Sequence, residues 1–168
     1  PMRRLVIGSG AREHALTWKL ARESGVSEVL CAPGNPGTAE VGRQVPVDPG
    51  DPGAVLGLAE REAVDLTVIG PEMPLTRGVA DLFASRGLRL LGPTRLAAEL
   101  ESSKAFAKQF MARHRVPTAD CVVCDHPDDA LRAIAEGRLG YPVVVKADGL
   151  AAGKGVVVAA DRAAAELA

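Results

Sequence analysis

The chain has 168 residues, of which 47% are hydrophobic and 3% aromatic, and its formal net charge is −1 at pH 7. Near-neutral charge and few aromatic rings argue against nucleic-acid and membrane-surface partners, because such partners attract basic patches and single-stranded bases stack on aromatic side chains. No apolar run is long enough to cross a bilayer and charged residues interrupt the apolar start, so we expect no transmembrane helix and no signal peptide.

The first 94 residues alternate strand-like and helix-like segments joined by short loops. This alternation predicts a parallel sheet covered by helices on both faces, in a Rossmann-like α/β domain over residues 1–101. Strands are expected at residues 3–7, 26–32, 65–69 and 88–91, and helices at 14–23, 54–63 and 75–86.

Three loops that follow predicted strands are rich in glycine and proline, and they occupy residues 8–12, 33–38 and 70–74. The carboxyl ends of parallel strands meet at one edge of the sheet, and open α/β sheets bind their ligands there. Glu72 is therefore a candidate site residue. The alternative is a solvated carboxylate that the helix dipole favours at a helix start.

The first of these loops, at residues 8–12, connects a strand to a helix as in nucleotide-binding folds, where the helix N-terminus favours an anion. Glu13 stands where a dinucleotide fingerprint has its third glycine, and no acidic residue ends the second strand to bind a ribose hydroxyl. Both departures count against NAD. A single bound phosphate and an ordinary turn remain as interpretations.

Three cysteines, Cys31, Cys121 and Cys124, are too few for a disulfide framework, and they predict reduced thiols and a cytoplasmic location. The Cys121–Cys124 pair has the spacing of a redox or metal motif. It lies in an apolar run that predicts a strand at 119–123, however, and no second Cys or His pair follows at zinc spacing. We therefore do not expect a functional site at this pair.

The helical pattern over residues 95–115 is expected to break at Ser102 and Ser103, either of which can cap a second helix. Lys104 then lies in a first helical turn, where the dipole disfavours a cation. This position indicates an anionic partner, and a solvated lysine is the alternative. A further helix is expected over residues 125–135.

Residues 143–158 contain two β-branched runs around a loop with three glycines, a pattern that predicts two buried strands and a tight connection. Glycines allow backbone N–H groups to crowd around an anion. Lys146 ends the first run, and burying a lysine is costly unless it meets a negative partner.

Lys154 lies inside this loop, where it can reach a phosphate as a point charge. The loop is not a Walker A motif, because the Gly149-to-Gly153 spacing is one residue short, Gly155 replaces the hydroxyl residue and a strand follows. We predict a flap that closes over the phosphates of a nucleotide. The alternative is a plain hairpin with two solvated lysines.

The chain ends in a helix that has just started at residues 161–168, without a closing glycine or proline. We therefore expect the second domain, residues 102–168, to be truncated.

Taken together, these segments resemble the glycinamide ribonucleotide synthetase (phosphoribosylamine–glycine ligase) family over essentially the whole chain. The segments that carry the resemblance are residues 6–16, 32–39, 68–75, 92–94, 101–104 and, most specifically, 146–156. Ala11 is a mild departure, since glycine is equally expected there.

The resemblance implies a Rossmann-like, pre-ATP-grasp domain followed by a truncated ATP-grasp domain, in a ligase of purine biosynthesis. ATP would convert glycine to glycyl phosphate, and the amine of 5-phosphoribosylamine would displace phosphate to give glycinamide ribonucleotide. The partners are then small molecules alone, with no nucleic acid and no membrane, and the full-length enzyme is expected to be a monomer.

The resemblance also assigns roles to residues. The phosphoribosyl substrate would contact the first-domain loops through Gly8, Gly10, Arg12, Asn35, Gly37, Pro71 and Glu72. ATP would contact Lys104, Lys146, Gly149, Gly153, Lys154 and Gly155. The carboxylates for Mg²⁺ or Mn²⁺ are expected beyond residue 168, so the chain alone is expected to be inactive, and no catalytic residue is assigned.

Three other interpretations remain open. One is another ATP-grasp carboxylate–amine ligase or a biotin-dependent carboxylase, and the second is a non-catalytic nucleotide- or NAD-binding module. In the third, the glycine loops are only structural turns.

Overall fold

The structure is a computed structural model that describes residues 1–151 and 155–168. The chain forms two compact units, Pro1–Glu99 and Leu100–Ala168. The boundary expected from the sequence lies two residues further along the chain.

The first unit is built on a sheet of five parallel strands, as the sequence predicts, in the order β3-β2-β1-β4-β5. The strands are β1 Met2–Gly8, β2 Val26–Pro33, β3 Arg43–Gln44, β4 Leu66–Ile69 and β5 Leu90–Leu91. The chain first adds strands on one side of β1 and then crosses to the other side with β4. The carboxyl ends of β1 and β4 therefore border the point where the strand order reverses, which is where open α/β sheets bind ligands.

Helices cover both faces of this sheet, which confirms the predicted layering. They are α1 Ala11–Leu20, α2 Pro36–Ala39, α3 Pro52–Arg61, α4 Glu72–Thr76 and α5 Val79–Ser85. The boundary between the two units lies within the next helix, α6 Arg95–Ser102, whose Ala98 belongs to the core of the first unit. Successive residues of β1 point to opposite faces. Leu5 and Ile7 join the larger core cluster with Phe83, whereas Val6 joins a smaller cluster to which Leu16 of α1 contributes.

Two details of the first unit differ from the sequence expectation. The helix expected at residues 75–86 is divided into α4 and α5, because Gly78 adopts the left-handed conformation with φ +84°. Strand β3 was not predicted, since it is only two residues long and depends on pairing with β2 rather than on a hydrophobic pattern of its own.

The second unit contains α7 Lys104–Arg113, α8 Pro127–Glu136, β6 Val143–Lys146, β7 Val156–Ala159 and α9 Arg162–Glu166. The expected break before Lys104 is confirmed, because the Ser103 side chain accepts a hydrogen bond from the Phe106 N–H at 3.0 Å and caps α7. Strands β6 and β7 form an antiparallel hairpin.

Two expectations for the second unit were wrong. Residues 119–123 form no strand, and no neighbouring strand pairs with this segment in the part of the chain that is described. Strands β6 and β7 are also not buried as predicted, since Val144, Lys146 and Val156 are exposed. A hairpin of two strands has too little covering structure to bury both faces. Because Lys146 is exposed, its charge is solvated and does not require a buried anionic partner.

A search of the described residues for a helix both long and apolar enough to cross a membrane finds none.

The core of the first unit predicts a clear stability difference between two leucines. Leu58 of α3 is 1% exposed, whereas Leu96 of α6 is 73% exposed. Leu58→Ala should lower the free energy of unfolding by about 2–5 kcal/mol, because it leaves a cavity. Leu96→Ala, the matched control, should change it by less than about 0.5 kcal/mol. Urea unfolding followed by the fluorescence of Trp18, the single tryptophan, reports on this unit. Equal unfolding midpoints for the two variants would contradict the assigned core.

Candidate functional site

The three glycine- and proline-rich loops of the first unit meet at the carboxyl edge of the sheet, around the end of β1. The first loop (8–12) and the second loop (33–38) are joined by the Gly34 N–H, which donates to the Gly8 carbonyl at 3.1 Å. The third loop (70–74) begins with Gly70, whose N–H donates to the Ile7 carbonyl at 3.0 Å. The structure thus brings together the three segments that the sequence marks as candidates.

Asn35 connects the second loop to the first. Its Oδ1 accepts a hydrogen bond from the Thr38 N–H at 3.0 Å, which caps α2. Its Nδ2 donates to the Ser9 carbonyl at 2.8 Å and lies 3.3 Å from the Gly10 carbonyl. Because both polar atoms of the amide are engaged within the protein, Asn35 acts in this structure as a brace between loops.

Arg12 connects the first loop to the third. Its guanidinium donates to the Gly70 carbonyl at 2.6 Å and to Glu72 Oε1 at 3.2 Å. The two side chains are 62% and 47% exposed, so water screens the ion pair and both groups remain accessible to a ligand.

Glu72 is the first residue of α4, directly after Pro71, which occupies the N-cap position. The pKa of Glu72 lies below its ordinary value, first because the carboxylate accepts a hydrogen bond from its own backbone N–H and further because Arg12 donates to it; partial burial acts in the opposite direction. The carboxylate is therefore ionised at neutral pH and presents a negative charge at the edge where the strand order reverses.

Glu13 and His14 are two residues beside these loops that the sequence reasoning did not select as functional. Glu13 is buried, and its Oε2 accepts a hydrogen bond from the Gly10 N–H at 2.6 Å. An acidic residue three positions after the helix cap is the signal that could have identified it, since that is the capping-box position. The His14 ring lies against Gly37, where an added Cβ would stand 2.7 Å from His14 Cε1, so Gly37 makes room for this ring.

In the second unit, Asp148 accepts hydrogen bonds at the start of α7, whereas the predicted anionic partner of the Lys104 ammonium group stays a prediction. Its Oδ1 accepts hydrogen bonds from the N–H groups of Lys104 at 2.6 Å and Ala105 at 3.2 Å, and its Oδ2 accepts from Ser103 Oγ at 2.9 Å. Lys104 Nζ donates to the Gly149 carbonyl at 2.8 Å. The start of α7 is thereby attached to the residues that directly follow β6.

The ionisation of Asp148 is consistent with this capping role. Burial alone would raise its pKa, but hydrogen bonds from Ser103 Oγ and from backbone N–H groups outweigh that effect and hold the pKa below its ordinary value. A carboxylate is also favoured by the dipole at a helix N-terminus.

The remaining candidates for ATP contact surround the connection between β6 and β7. Lys146 is the last residue of β6, is exposed and stands opposite Val156. Gly149 and Gly155 have φ values of +92° and +71°, a conformation that side chains with a Cβ rarely adopt. The other two predicted residues, Gly153 and Lys154, lie outside the described residues, and their phosphate contacts stay predictions.

A magnesium site does not fit the described residues of this chain. Within residues 1–151 and 155–168, no three His, Cys, Asp or Glu side chains are grouped as metal ligands would be. Asp148 lies closest to the predicted nucleotide loop, but its oxygens already accept hydrogen bonds from Ser103 Oγ and two N–H groups. Cys121 and Cys124 are free thiols in an irregular segment.

The double role of Asn35 can be separated by substitution. Asn35→Ser keeps a hydroxyl that caps α2 but is too short to reach the Ser9 carbonyl, whereas Asn35→Ala loses both contacts. We expect the free energy of unfolding to fall by about 1–3 kcal/mol for the alanine variant and by less for the serine variant. Urea unfolding followed by Trp18 fluorescence measures both. A serine variant as stable as the parent chain would show that the contact with Ser9 contributes nothing.

Arg12→Ala tests the electrostatics of the Glu72 carboxyl. In an NMR titration, the pKa of Glu72 should lie below the ordinary glutamate value in the parent chain and should rise in the variant, but stay depressed because the backbone hydrogen bond remains. A depressed pKa stabilises the fold above the unfolded-state value, and this contribution is lost as the pH falls through the folded-state pKa. The variant should therefore lose at most about 1 kcal/mol at pH 7, and the difference should vanish in acid.

Arg86→Ala is the matched control, because Arg86 pairs with Glu60 at 3.8 Å instead. A Glu72 titration that is the same in Arg12→Ala as in the parent chain would show that the Arg12 contact does not form in solution.

Comparison with known proteins places both units in one family. The protein-family model described as "Phosphoribosylglycinamide synthetase, N domain" matches residues 2–101. The family model described as "Phosphoribosylglycinamide synthetase, ATP-grasp (A) domain" matches residues 102–168. A curated phosphoribosylamine–glycine ligase from Xanthomonas axonopodis pv. citri is 58% identical over 167 residues, which are 98% of this chain and 38% of that protein. The corresponding ligase of Escherichia coli K12 is 50% identical, over 99% of this chain and 39% of that protein.

Solved structures agree with the fold. The crystal structure of a phosphoribosylamine–glycine ligase from Thermotoga maritima is 33% identical with a TM-score of 0.73, and the match covers 96% of this chain and 37% of that one. An N5-carboxyaminoimidazole ribonucleotide synthetase from the same organism has a TM-score of 0.74 at 19% identity over 100% of this chain and 43% of its own length, a likeness of fold alone. The chain thus spans about two-fifths of the length of these relatives. On both family matches, it belongs to the phosphoribosylglycinamide synthetase family.

Proposed function

We propose that the full-length protein containing this chain is an ATP-dependent ligase that joins glycine to 5-phosphoribosylamine. The observation that carries the proposal is the meeting of three braced loops at the point where the strand order reverses, in a chain whose curated relatives bear the name of that ligase. This edge is suited to a small polar substrate because it combines helix N-termini with the exposed charges of Arg12 and Glu72.

The chemistry explains why such a ligase needs ATP. An amine cannot displace oxide from a carboxylate at a useful rate, whereas phosphate is a good leaving group. A carboxylate oxygen of glycine attacks the γ-phosphorus of ATP, which gives glycyl phosphate and ADP. The amine nitrogen of phosphoribosylamine then attacks the carbonyl carbon, phosphate departs, and the nitrogen loses a proton. The protein mainly has to position the reactants and neutralise their charges.

In this proposal the first unit holds the phosphoribosyl group. Arg12 is the charged partner for the phosphate, with help from backbone N–H groups near the start of α1, and Glu72 accepts hydrogen bonds from ribose hydroxyls. Asn35 keeps the first two loops at a fixed separation through its contact with the Ser9 carbonyl at 2.8 Å. Gly8, Gly10, Gly37 and Pro71 shape the loops rather than supply charge.

The second unit holds the phosphates of ATP. Lys104 and Lys146 supply positive charge, and the glycines of the loop between β6 and β7 allow backbone N–H groups to approach the phosphates. Lys104 donates to the Gly149 carbonyl, so it has to exchange this contact for, or share it with, the nucleotide. Mg²⁺ or Mn²⁺ would neutralise phosphate charge when bound, and because the described residues do not fit such a site, we propose that its carboxylate ligands lie elsewhere in the full-length protein.

We also propose a cytoplasmic location, which is supported by three free thiols. The expected monomeric state stays a prediction.

The assignment is tested by measuring ADP release from the full-length polypeptide in the presence of ATP and Mg²⁺. Glycine and freshly generated phosphoribosylamine are added separately and then together, and ADP release should require both. Nucleotide binding without this joint requirement would retain the ATP-grasp fold and reject the substrates, in favour of another carboxylate or amine. Residues 1–168 alone should show no turnover, and measurable ligation by this segment would overturn that expectation.

Lysine substitutions in the full-length polypeptide test the nucleotide site. Lys104→Met and Lys146→Met should each raise the KM for ATP by about tenfold or more, because each removes a charge-assisted hydrogen bond worth roughly 1.5–3 kcal/mol. Lys108→Met is the matched control, since Lys108 lies on α7 as well but donates to Thr118 Oγ1 at 2.8 Å. An unchanged KM in folded Lys104 and Lys146 variants would favour the reading of these loops as structural turns.

A further inference from the structure

Glu13 is enclosed by glycines from two of the three loops. It is 5% exposed. A Cβ added to Gly8 would lie 2.5 Å from Glu13 Cγ, one added to Gly10 would lie 2.9 Å from Oε2, and one added to Gly70 would lie 2.5 Å from Cδ. All three distances are too short for a real Cβ contact. Gly8 and Gly70, where an added Cβ would meet carbon atoms of Glu13, therefore leave room for a side chain of the protein itself.

The Glu13 carboxylate accepts a hydrogen bond at the start of α1, the region to which dinucleotide-binding folds bring their diphosphate. In those folds the second glycine of the fingerprint lets the pyrophosphate approach the helix N-terminus and its free N–H groups. Here the Gly10 N–H donates to Glu13 Oε2 at 2.6 Å. The internal carboxylate thus uses both the donor and the favourable end of the helix dipole.

A second phosphate at this position would meet three obstacles. It would lack the Gly10 N–H, it would overlap the volume of the Glu13 side chain, and it would face the like charge of the Glu13 carboxylate. Within the described residues Glu13 forms no ion pair with Lys or Arg, and the nearby Arg12 is directed to Gly70 and Glu72. In the proposed function Arg12 pairs with the first phosphate, so it does not offset that repulsion for a second one.

We propose that Glu13 determines the specificity of this edge, admitting a ligand that presents a single phosphate at the start of α1 and rejecting diphosphates, dinucleotides included. The proposal rests on the proposed function, because it takes the phosphoribosyl substrate to bind at these loops. The proposal adds a physical reason why ribose compounds that carry a diphosphate are excluded from these loops.

The test uses ¹⁵N-labelled chain and follows the amide resonances of Gly8, Gly10 and Gly70 during titration with ribose 5-phosphate and with ADP-ribose. Site-resolved amides keep this edge distinct from nucleotide binding elsewhere in the chain. In the parent chain, ADP-ribose should bind these loops at least about tenfold more weakly than ribose 5-phosphate. Glu13→Gln keeps the size of the side chain and an acceptor for the Gly10 N–H but removes the charge. The affinity for ADP-ribose relative to that for ribose 5-phosphate should therefore rise by about tenfold. Glu13→Ala also removes the bulk and should move it further.

Glu60→Gln is the control for net charge, because Glu60 is exposed on α3 and should leave the ratio unchanged. ADP-ribose that binds the parent chain as tightly as ribose 5-phosphate, or a ratio that Glu13→Gln does not alter, would overturn the proposal. The ratio in the parent chain is decisive by itself if a variant fails to fold. If ribose 5-phosphate does not bind the parent chain but ADP-ribose binds Glu13→Gln, the proposed substrate is rejected and the role of Glu13 is retained. No shift in any variant would reject both.

Discussion

The central strand β1 is the element on which the candidate site depends. It pairs with β2 on one side and with β4 on the other, and the chain reverses the direction of strand order across it. The last carbonyls of β1 accept hydrogen bonds from the first N–H groups after its two neighbours, Gly34 and Gly70. Because these bonds belong to the backbone ladder, the three loops are brought together by the register of the sheet before any side chain contributes.

Side chains then fix the loops at three points of unequal strength. Glu13 is buried, and its Oε2 accepts a hydrogen bond from the N–H of the exposed Gly10 at 2.6 Å. Asn35 is half-buried and engages both ends of its amide. The pair formed by Arg12 and Glu72 is exposed and weak, which suits groups that have to exchange a protein contact for a ligand contact. The rigid braces and the exchangeable charges are therefore different residues.

The sequence was sufficient to predict the sheet of the first unit, because the apolar runs, glycine loops and helical patterns in it all indicate the same structure. The sequence pattern does not predict strand β3, because its two residues show no periodicity and the strand depends on pairing with β2. In the second unit, the apolar runs of β6 and β7 predict buried strands, yet burial depends on neighbouring structure that a local pattern does not encode. The segment at 119–123 failed for the same reason.

The candidate site shows a different limit of sequence reasoning. The loops and their shared edge could be predicted, since parallel strands end together. The function of individual positions could not be predicted, because comparison with the dinucleotide-binding fingerprint shows only that Glu13 replaces the third glycine. Its contact with Gly10 depends on a side chain that turns back over the helix start, and the Asp148 contact with α7 joins residues about 44 positions apart.

The completeness of the first unit has a consequence for how the protein is made. Among the described residues, all five strands of this sheet lie between Met2 and Leu91, so the β ladder seen here does not wait for the residues of the second unit. Domains generally fold as units during synthesis, beginning at the N-terminus. This edge of the sheet can therefore reach its final geometry on the ribosome while the hairpin of β6 and β7 is still being translated, and the order of translation becomes the order of assembly.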